Sequence, residues 1–175
     1  MILDPLDLGH ARRLRPEDPL LRALGRHAGV RTVIDATAGL GRDAAALALA
    51  GFEVTAIERA PALVSLWRDA MKRPPSRLAF LEGDACALLR SLPAADAVYL
   101  DPMYPDGKRK SAPQKELVIL RCLVGDDVDA PELLAIAREV AALRVVVKRP
   151  KKAPPLAPPS HSWAGASTRY DLYLR

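Results

Sequence analysis

Residues 32–43 read TVIDATAGLGRD, and this stretch decides the fold. Thr32, Val33 and Ile34 favour a strand. The pattern breaks at Asp35, Ala36, Thr37 and Ala38, Gly39 and Gly41 follow, and an alanine-rich helical run begins at Arg42. A strand, a tight glycine turn and a helix start are therefore written in succession. That order brings backbone N–H groups up to a ligand at the carboxyl end of a parallel strand.

Outward from this stretch, strands and helices alternate. Strands are expected at 32–36, 53–57, 78–81, 97–100 and 144–148. Helices are expected at 42–50, 61–71, 85–91, 114–123 and 131–142, the last capped by Asp129. Ahead of them, Asp18 and Pro19 open a short helix with Gly29 beyond its end. Behind them, a proline-dense loop at 150–159 leads to a hairpin at 162–174 with Gly165 near its turn. Residues 1–30 form a lead-in segment and residues 31–175 the main domain. The fold class is α/β: a mostly parallel, Rossmann-like sheet with helices on both faces and a C-terminal antiparallel hairpin. That combination resembles the class I fold that binds S-adenosylmethionine. Asp35, Glu58, Asp84 and Asp101 then fall at or just beyond the ends of four consecutive strands, on the ligand side of the sheet.

The bulk properties narrow the choices. A chain of 175 residues can bury one core without a metal or disulfide to hold it. Cys86 and Cys122 make no C-x-x-C, and a reducing cytoplasm suits them. No stretch approaches the ~20 apolar residues of a membrane span, and the first residues do not read as a signal peptide. The net charge is +5 and the pI about 9.5. Three basic clusters carry it: Arg12, Arg13 and Arg15; Lys108, Arg109 and Lys110; Lys148, Arg149, Lys151 and Lys152. Clustering beside candidate site loops favours a nucleic-acid partner over an evenly solvated surface.

Two constellations carry chemistry. In the first, Asp35, Gly39, Gly41, Arg42 and Asp43 form the ligand loop, and Glu58 ends the next strand. It stands near the roughly 20-residue spacing at which an acidic residue takes ribose hydroxyls. Asp35 and Asp43 would repel a diphosphate but suit a sulfonium and an amino group. The balance favours S-adenosylmethionine over a nicotinamide cofactor. Asp84 can accept from an adenine amine or cap the helix at Ala85.

The second constellation is Val98-Tyr99-Leu100-Asp101-Pro102-Met103-Tyr104-Pro105. An exocyclic amine on a base is a poor nucleophile because its lone pair is delocalised into the ring. Acceptors aimed at its two N–H bonds favour a pyramidal nitrogen. Asp101 supplies one and the Pro102 carbonyl the other, while Tyr104 can stack on a flipped base. Nothing in this chemistry calls for a metal. Lys108, Arg109 and Lys110, and again Lys148 and Arg149, are placed to hold flanking phosphates.

The segments DATAGLGRDA (35–44), IER (57–59), VYLDPMYP (98–105) and VVVKRP (145–150), with the ending RYDLY (169–173), together resemble the RsmJ-type small-subunit ribosomal RNA guanine-N2 methyltransferases. The resemblance covers residues 30–175. It implies S-adenosylmethionine-dependent methylation of a guanine N2 near the 3′ end of small-subunit rRNA, with naked rRNA or the assembled subunit as partner. It implies cofactor contacts at Arg42, Asp43, Glu58, Arg59, Asp84, Ala85 and Asp101. Tyr104 stands where Phe is commoner. Family members usually carry an N-terminal extension that this sequence is expected to lack, which should bear on rRNA docking more than on cofactor binding. Two other readings stay open: methylation of another exocyclic amine, such as adenine N6, and a non-catalytic RNA-binding module.

Overall fold

Strand, turn and helix follow one another from Thr32 to Leu49 as the glycine spacing requires. In the computed structural model, which describes residues 14–70, 75–103 and 127–175, Gly39 (φ +56°) and Gly41 (φ +74°) both take the left-handed conformation that turns strand into helix. Helix α1 spans Pro19–Leu24, β1 Thr32–Asp35, α2 Arg42–Leu49, β2 Glu53–Glu58 and α3 Pro61–Ala70. They are followed by β3 Leu78–Glu82, α4 Ala85–Ser91, β4 Ala97–Leu100, α5 Ala130–Val140 and β5 Arg144–Pro150. The hairpin strands are β6 His161–Ala164 and β7 Thr168–Leu174. The helix expected at 114–123 lies outside the described residues, as do Tyr104, Lys108, Arg109, Lys110 and Cys122.

The strands form one seven-stranded sheet in the order β3-β2-β1-β4-β5-β7-β6. Strands β1 to β5 pair in parallel, and β7 runs antiparallel between β5 and β6. Strand order reverses at β1 and β4. A crevice opens there at the carboxyl ends, so the topology sets the site.

Successive side chains point to opposite faces of the sheet, and along the central strands β1, β4 and β5 both faces are buried. Val33, Tyr99, Val146, Tyr170 and Leu172 pack under α1 and α2. Ile34, Val98, Leu100, Val145, Val147 and Tyr173 pack with Leu89 of α4 and Leu133 and Leu134 of α5. Leu20, Leu21 and Leu24 of α1 are each no more than 2% exposed and belong to the first core. At about 1.5–3 kcal/mol per buried leucine, the lead-in helix is an integral part of that core.

Most described boundaries fall within one or two residues of expectation, and the largest shift is at α1. Helix α1 stops at Gly25 (φ +77°), not before Gly29. A 3-10 turn, Arg26–Ala28, then separates the two glycines. The left-handed φ of Gly25 favours a residue without a Cβ, and a Cβ there would also press on the movable end of the Arg144 side chain, 2.3 Å from Nη1.

Candidate active site

A cavity of about 460 Å³ opens at the switch point, within the roughly 300–1,000 Å³ of small-ligand sites. Its lining gathers residues expected from separate loops: Asp35, Gly39, Arg42, Asp43, Glu58, Arg59, Asp84, Ala85, Asp101, Pro102, Lys148 and Arg149. Gly41 shapes the turn beneath it, donating its N–H to Ala38 O at 2.7 Å.

Glu58 organises the cofactor side. It is 5% exposed. Its Oε2 accepts from Gly39 N–H at 2.8 Å and its Oε1 from Ala60 N–H at 2.7 Å. Each carboxylate oxygen keeps a second lone pair for a ligand hydroxyl. Burial raises the Glu58 carboxyl above its usual range, against the lowering effect of those N–H groups. Asp35 is 1% exposed and accepts from Thr37 N–H at 3.2 Å. Burial, then the neighbouring charge of Asp43, pushes its carboxyl well above the usual range. A cation brought to this wall would relieve that cost. Asp84 caps α4 by accepting from Ala87 N–H at 3.0 Å, and its side chain is still 49% exposed.

The acceptor side is held by a network that links it to the ligand loop. Lys148 Nζ donates to Asp101 Oδ2 at 2.7 Å and to Asp43 Oδ2 at 2.9 Å. Tyr99 Oη also donates to Asp43 Oδ2, at 2.7 Å. Asp101 N–H donates to Thr37 Oγ1 at 2.6 Å. Burial acts to lower the Lys148 ammonium, but Asp101 and Asp43 outweigh it and hold it well above the usual lysine range. Burial raises the Asp101 carboxyl and Lys148 opposes the rise.

The structure places several residues differently from expectation. Lys148 is committed to two carboxylates inside the cavity wall. Arg149 is 5% exposed and donates to the Pro154 carbonyl. Neither presents an open charge to a phosphate. Lys151 and Lys152, in the turn that follows, are exposed. Asp129 occupies the N-cap position of α5 but makes no side-chain cap bond. Its carboxylate pairs instead with Arg59, which also pairs with Asp127. Thr37, Tyr99 and Asp127 have roles that sequence reasoning did not assign. For Asp127 the available signal was the acid-rich run Gly125-Asp126-Asp127-Val128-Asp129, directly before a helix.

The donor set fits S-adenosylmethionine. The described lining carries seven carboxylates against four cationic side chains, which would repel a pyrophosphate and attract a sulfonium and an ammonium. A Cβ built on Gly39 meets only Thr37 O, at 3.9 Å, so the loop backbone is open to a ligand. Asp35, Gly39, Arg42 and Asp43 would hold the methionine end, Glu58 the ribose, and Asp84 with Ala85 the adenine. Among the described residues no group of three or more His, Cys, Asp or Glu could hold a metal ion, and no helix is long and apolar enough to cross a membrane.

Strand order, glycine loop and strand-end carboxylates define a class I S-adenosylmethionine-dependent methyltransferase fold. A family model described as "Putative SAM-dependent methyltransferase" matches residues 9–175. The chain is 44% identical to ribosomal RNA small subunit methyltransferase J of Thioalkalivibrio sulfidiphilus, covering 90% of this chain and 68% of that protein. It is 45% identical to the protein of the same name from Pseudomonas paraeruginosa, over 88% of this chain and 64% of that one. A crystal structure of a SAM-dependent methyltransferase from Neisseria gonorrhoeae superposes with a TM-score of 0.72 at 36% identity, over 99% of this chain and 74% of that one. An rRNA methyltransferase from Streptomyces viridochromogenes, 17% identical with a TM-score of 0.57 over 90% of this chain and 82% of that one, shares the fold. The chain belongs to the SAM-dependent methyltransferase family, and within it to the group of the ribosomal RNA small subunit methyltransferase J proteins. It spans about two thirds of the length of the curated relatives it matches.

Proposed function

We propose that this protein transfers a methyl group from S-adenosylmethionine to the exocyclic N2 of a guanine in small-subunit ribosomal RNA. The observation that carries the reading is the Lys148 bridge. It ties Asp101, at the end of β4, to Asp43 of the ligand loop, so the groups for donor and acceptor share one cavity wall. The names of the 42–45% identical relatives support the substrate.

In this reading S-adenosylmethionine supplies an activated methyl group on a sulfonium centre, and the protein's part is positioning and electrostatics. Asp101 accepts one N–H of the guanine amine and the Pro102 carbonyl accepts the other. Lys148 favours the ionised form of Asp101 against the effect of burial and aims its carboxylate. Tyr104, by its place in the DPMY segment, is assigned to stack on the flipped base. The RNA strand is held by exposed cations at the rim. Lys151 and Lys152 follow Pro150, a lining residue, and Lys151 N–H donates to Ser167 O at 3.1 Å, beside the lining residue Thr168. Lys108, Arg109 and Lys110 are assigned the same task from sequence.

Calorimetry with S-adenosylmethionine and transfer of radiolabelled methyl to small ribosomal subunits test the reading together. Wild type is expected to bind and transfer, and Asp101→Ala to lose transfer even at S-adenosylmethionine concentrations that saturate it by calorimetry. Equal incorporation by both would remove Asp101 from the mechanism. RNA binding without cofactor binding would leave a non-catalytic module.

A further inference from the structure

The segment Asp101-Pro102-Met103 contains two backbone N–H groups, since proline has none. Both are anchored. Asp101 N–H goes to Thr37 Oγ1, and Met103 N–H goes to Asp127 Oδ2 at 2.7 Å. Asp127 N–H returns a bond to Met103 O at 3.2 Å, so Met103 and Asp127 clasp each other at two points. Arg59 holds the other carboxylate oxygen of Asp127, Oδ1, and also pairs with Asp129. Arg59 directly follows Glu58, whose carboxylate anchors the glycine loop. The Asp127 side chain is 12% exposed, so these bonds compete little with water.

Met103 N–H and Pro102 C=O belong to the same peptide unit. That unit is planar, and no peptide bond described here is cis. In a trans unit the N–H and the C=O point in opposite directions. Fixing the N–H on Asp127 therefore fixes the carbonyl, pointing away from Asp127. An anionic acceptor on the N–H also polarises the amide and makes the carbonyl oxygen a stronger acceptor.

We infer that Asp127 is a positioning residue for methyl transfer: held by Arg59, it orients and polarises the Pro102 carbonyl that accepts an N–H of the target amine. The inference rests on the proposed amine chemistry at Asp101 and Pro102. Arg59 makes the arrangement a physical link between the cofactor-side strand β2 and the acceptor peptide. Asp127 need not touch the substrate to matter.

The test compares wild type, Asp127→Asn, Asp127→Ala and Asp101→Ala, using S-adenosylmethionine and small ribosomal subunits. Asp127→Ala is expected to lose roughly 10- to 100-fold in kcat, the scale of a misplaced catalytic group. Its KM for the subunit and its affinity for S-adenosylmethionine should stay within about threefold of wild type. Asp127→Asn keeps one oxygen for the Met103 N–H and should recover a large part of kcat. In amide NMR spectra the Met103 proton should lie downfield in wild type and move upfield in Asp127→Asn, as the charge on its acceptor is lost. Asp127→Ala with wild-type kcat, while Asp101→Ala is inactive, would overturn the role of Asp127 and leave the amine chemistry standing. Full activity in Asp101→Ala would overturn the amine chemistry itself. Should Asp127→Ala fail to fold, Asp127→Asn decides: an unmoved Met103 amide together with unchanged kcat overturns the inference.

Discussion

Replacing Lys148 with methionine keeps most of the side-chain volume and removes the charge between Asp101 and Asp43. At 2.7 Å from Asp101, a unit charge pair is worth about 6 kcal/mol at an effective dielectric of 20 and about 1.5 kcal/mol in bulk water. The Asp101 side chain is 38% exposed and that of Lys148 23%. Solvent screening therefore places the value towards the lower end, at about 2–3 kcal/mol. If Asp101 must be ionised and aimed in the transition state, that energy appears as a loss of about 30- to 150-fold in kcat/KM. The sign of the pH effect follows from the same geometry. Lys148 acts to lower a carboxyl that burial raises. Without it Asp101 holds its proton to higher pH, and the acid limb of the transfer profile moves up. The assay is radiolabelled methyl transfer to small subunits across pH 5 to about 9, a window spanning ordinary titrations. An unshifted acid limb with kcat/KM within twofold of wild type would refute the assignment of Lys148 to Asp101.

Three further outcomes are expected. Glu58→Ala removes the acceptor for Gly39 N–H and Ala60 N–H. Affinity for S-adenosylmethionine, read by calorimetry, should fall on the order of 10- to 100-fold. Asp96 accepts from Arg31 N–H at 2.8 Å and Thr32 N–H at 2.9 Å, stapling β1 to β4. Asp96→Ala should cost about 1–2 kcal/mol of stability in urea unfolding at neutral pH. The Thr32 N–H foremost holds the Asp96 carboxyl below its usual range. Its contribution is thus complete above the ordinary carboxylate range and lost as pH falls through the lower folded value, so mutant and wild type should converge in acid. Reversing both exposed rim lysines, Lys151→Glu with Lys152→Glu, should raise KM for the subunit and flatten its dependence on log salt by about 1.4, at about 0.7 per phosphate contact to a single strand. Its kcat should be unchanged.

How much of this was legible in the letters depends on the kind of signal. β-formers, glycines and caps act locally, so β4 and α4 fall on their expected boundaries. The four strand-end carboxylates follow from topology alone and do share one cavity. Helix α1 ends early because Gly25, as well as Gly29, adopts a left-handed conformation, and two adjacent stop signals cannot be ranked without their packing. The role of Lys148 was hidden for a different reason. In VVVKRP its charge reads as exposed, and only the parallel pairing of β4 with β5, Leu100 beside Val147, brings it against Asp101. Asp127 was hidden likewise, because its partners Arg59 and Met103 are distant in sequence and meet only at the crevice. Local rules show which residues carry charge. Pairing across the sheet decides what each charge faces.

The most direct test of the central claim is identification of the methylated atom. Small-subunit rRNA from particles incubated with the protein and S-adenosylmethionine is digested to nucleosides and analysed by mass spectrometry. The expected product is guanosine methylated on N2, formed by wild type and absent with Asp101→Ala. A methyl group on adenine N6, or on a ring nitrogen or ribose, would contradict the assignment of Asp101 and the Pro102 carbonyl to the guanine amine.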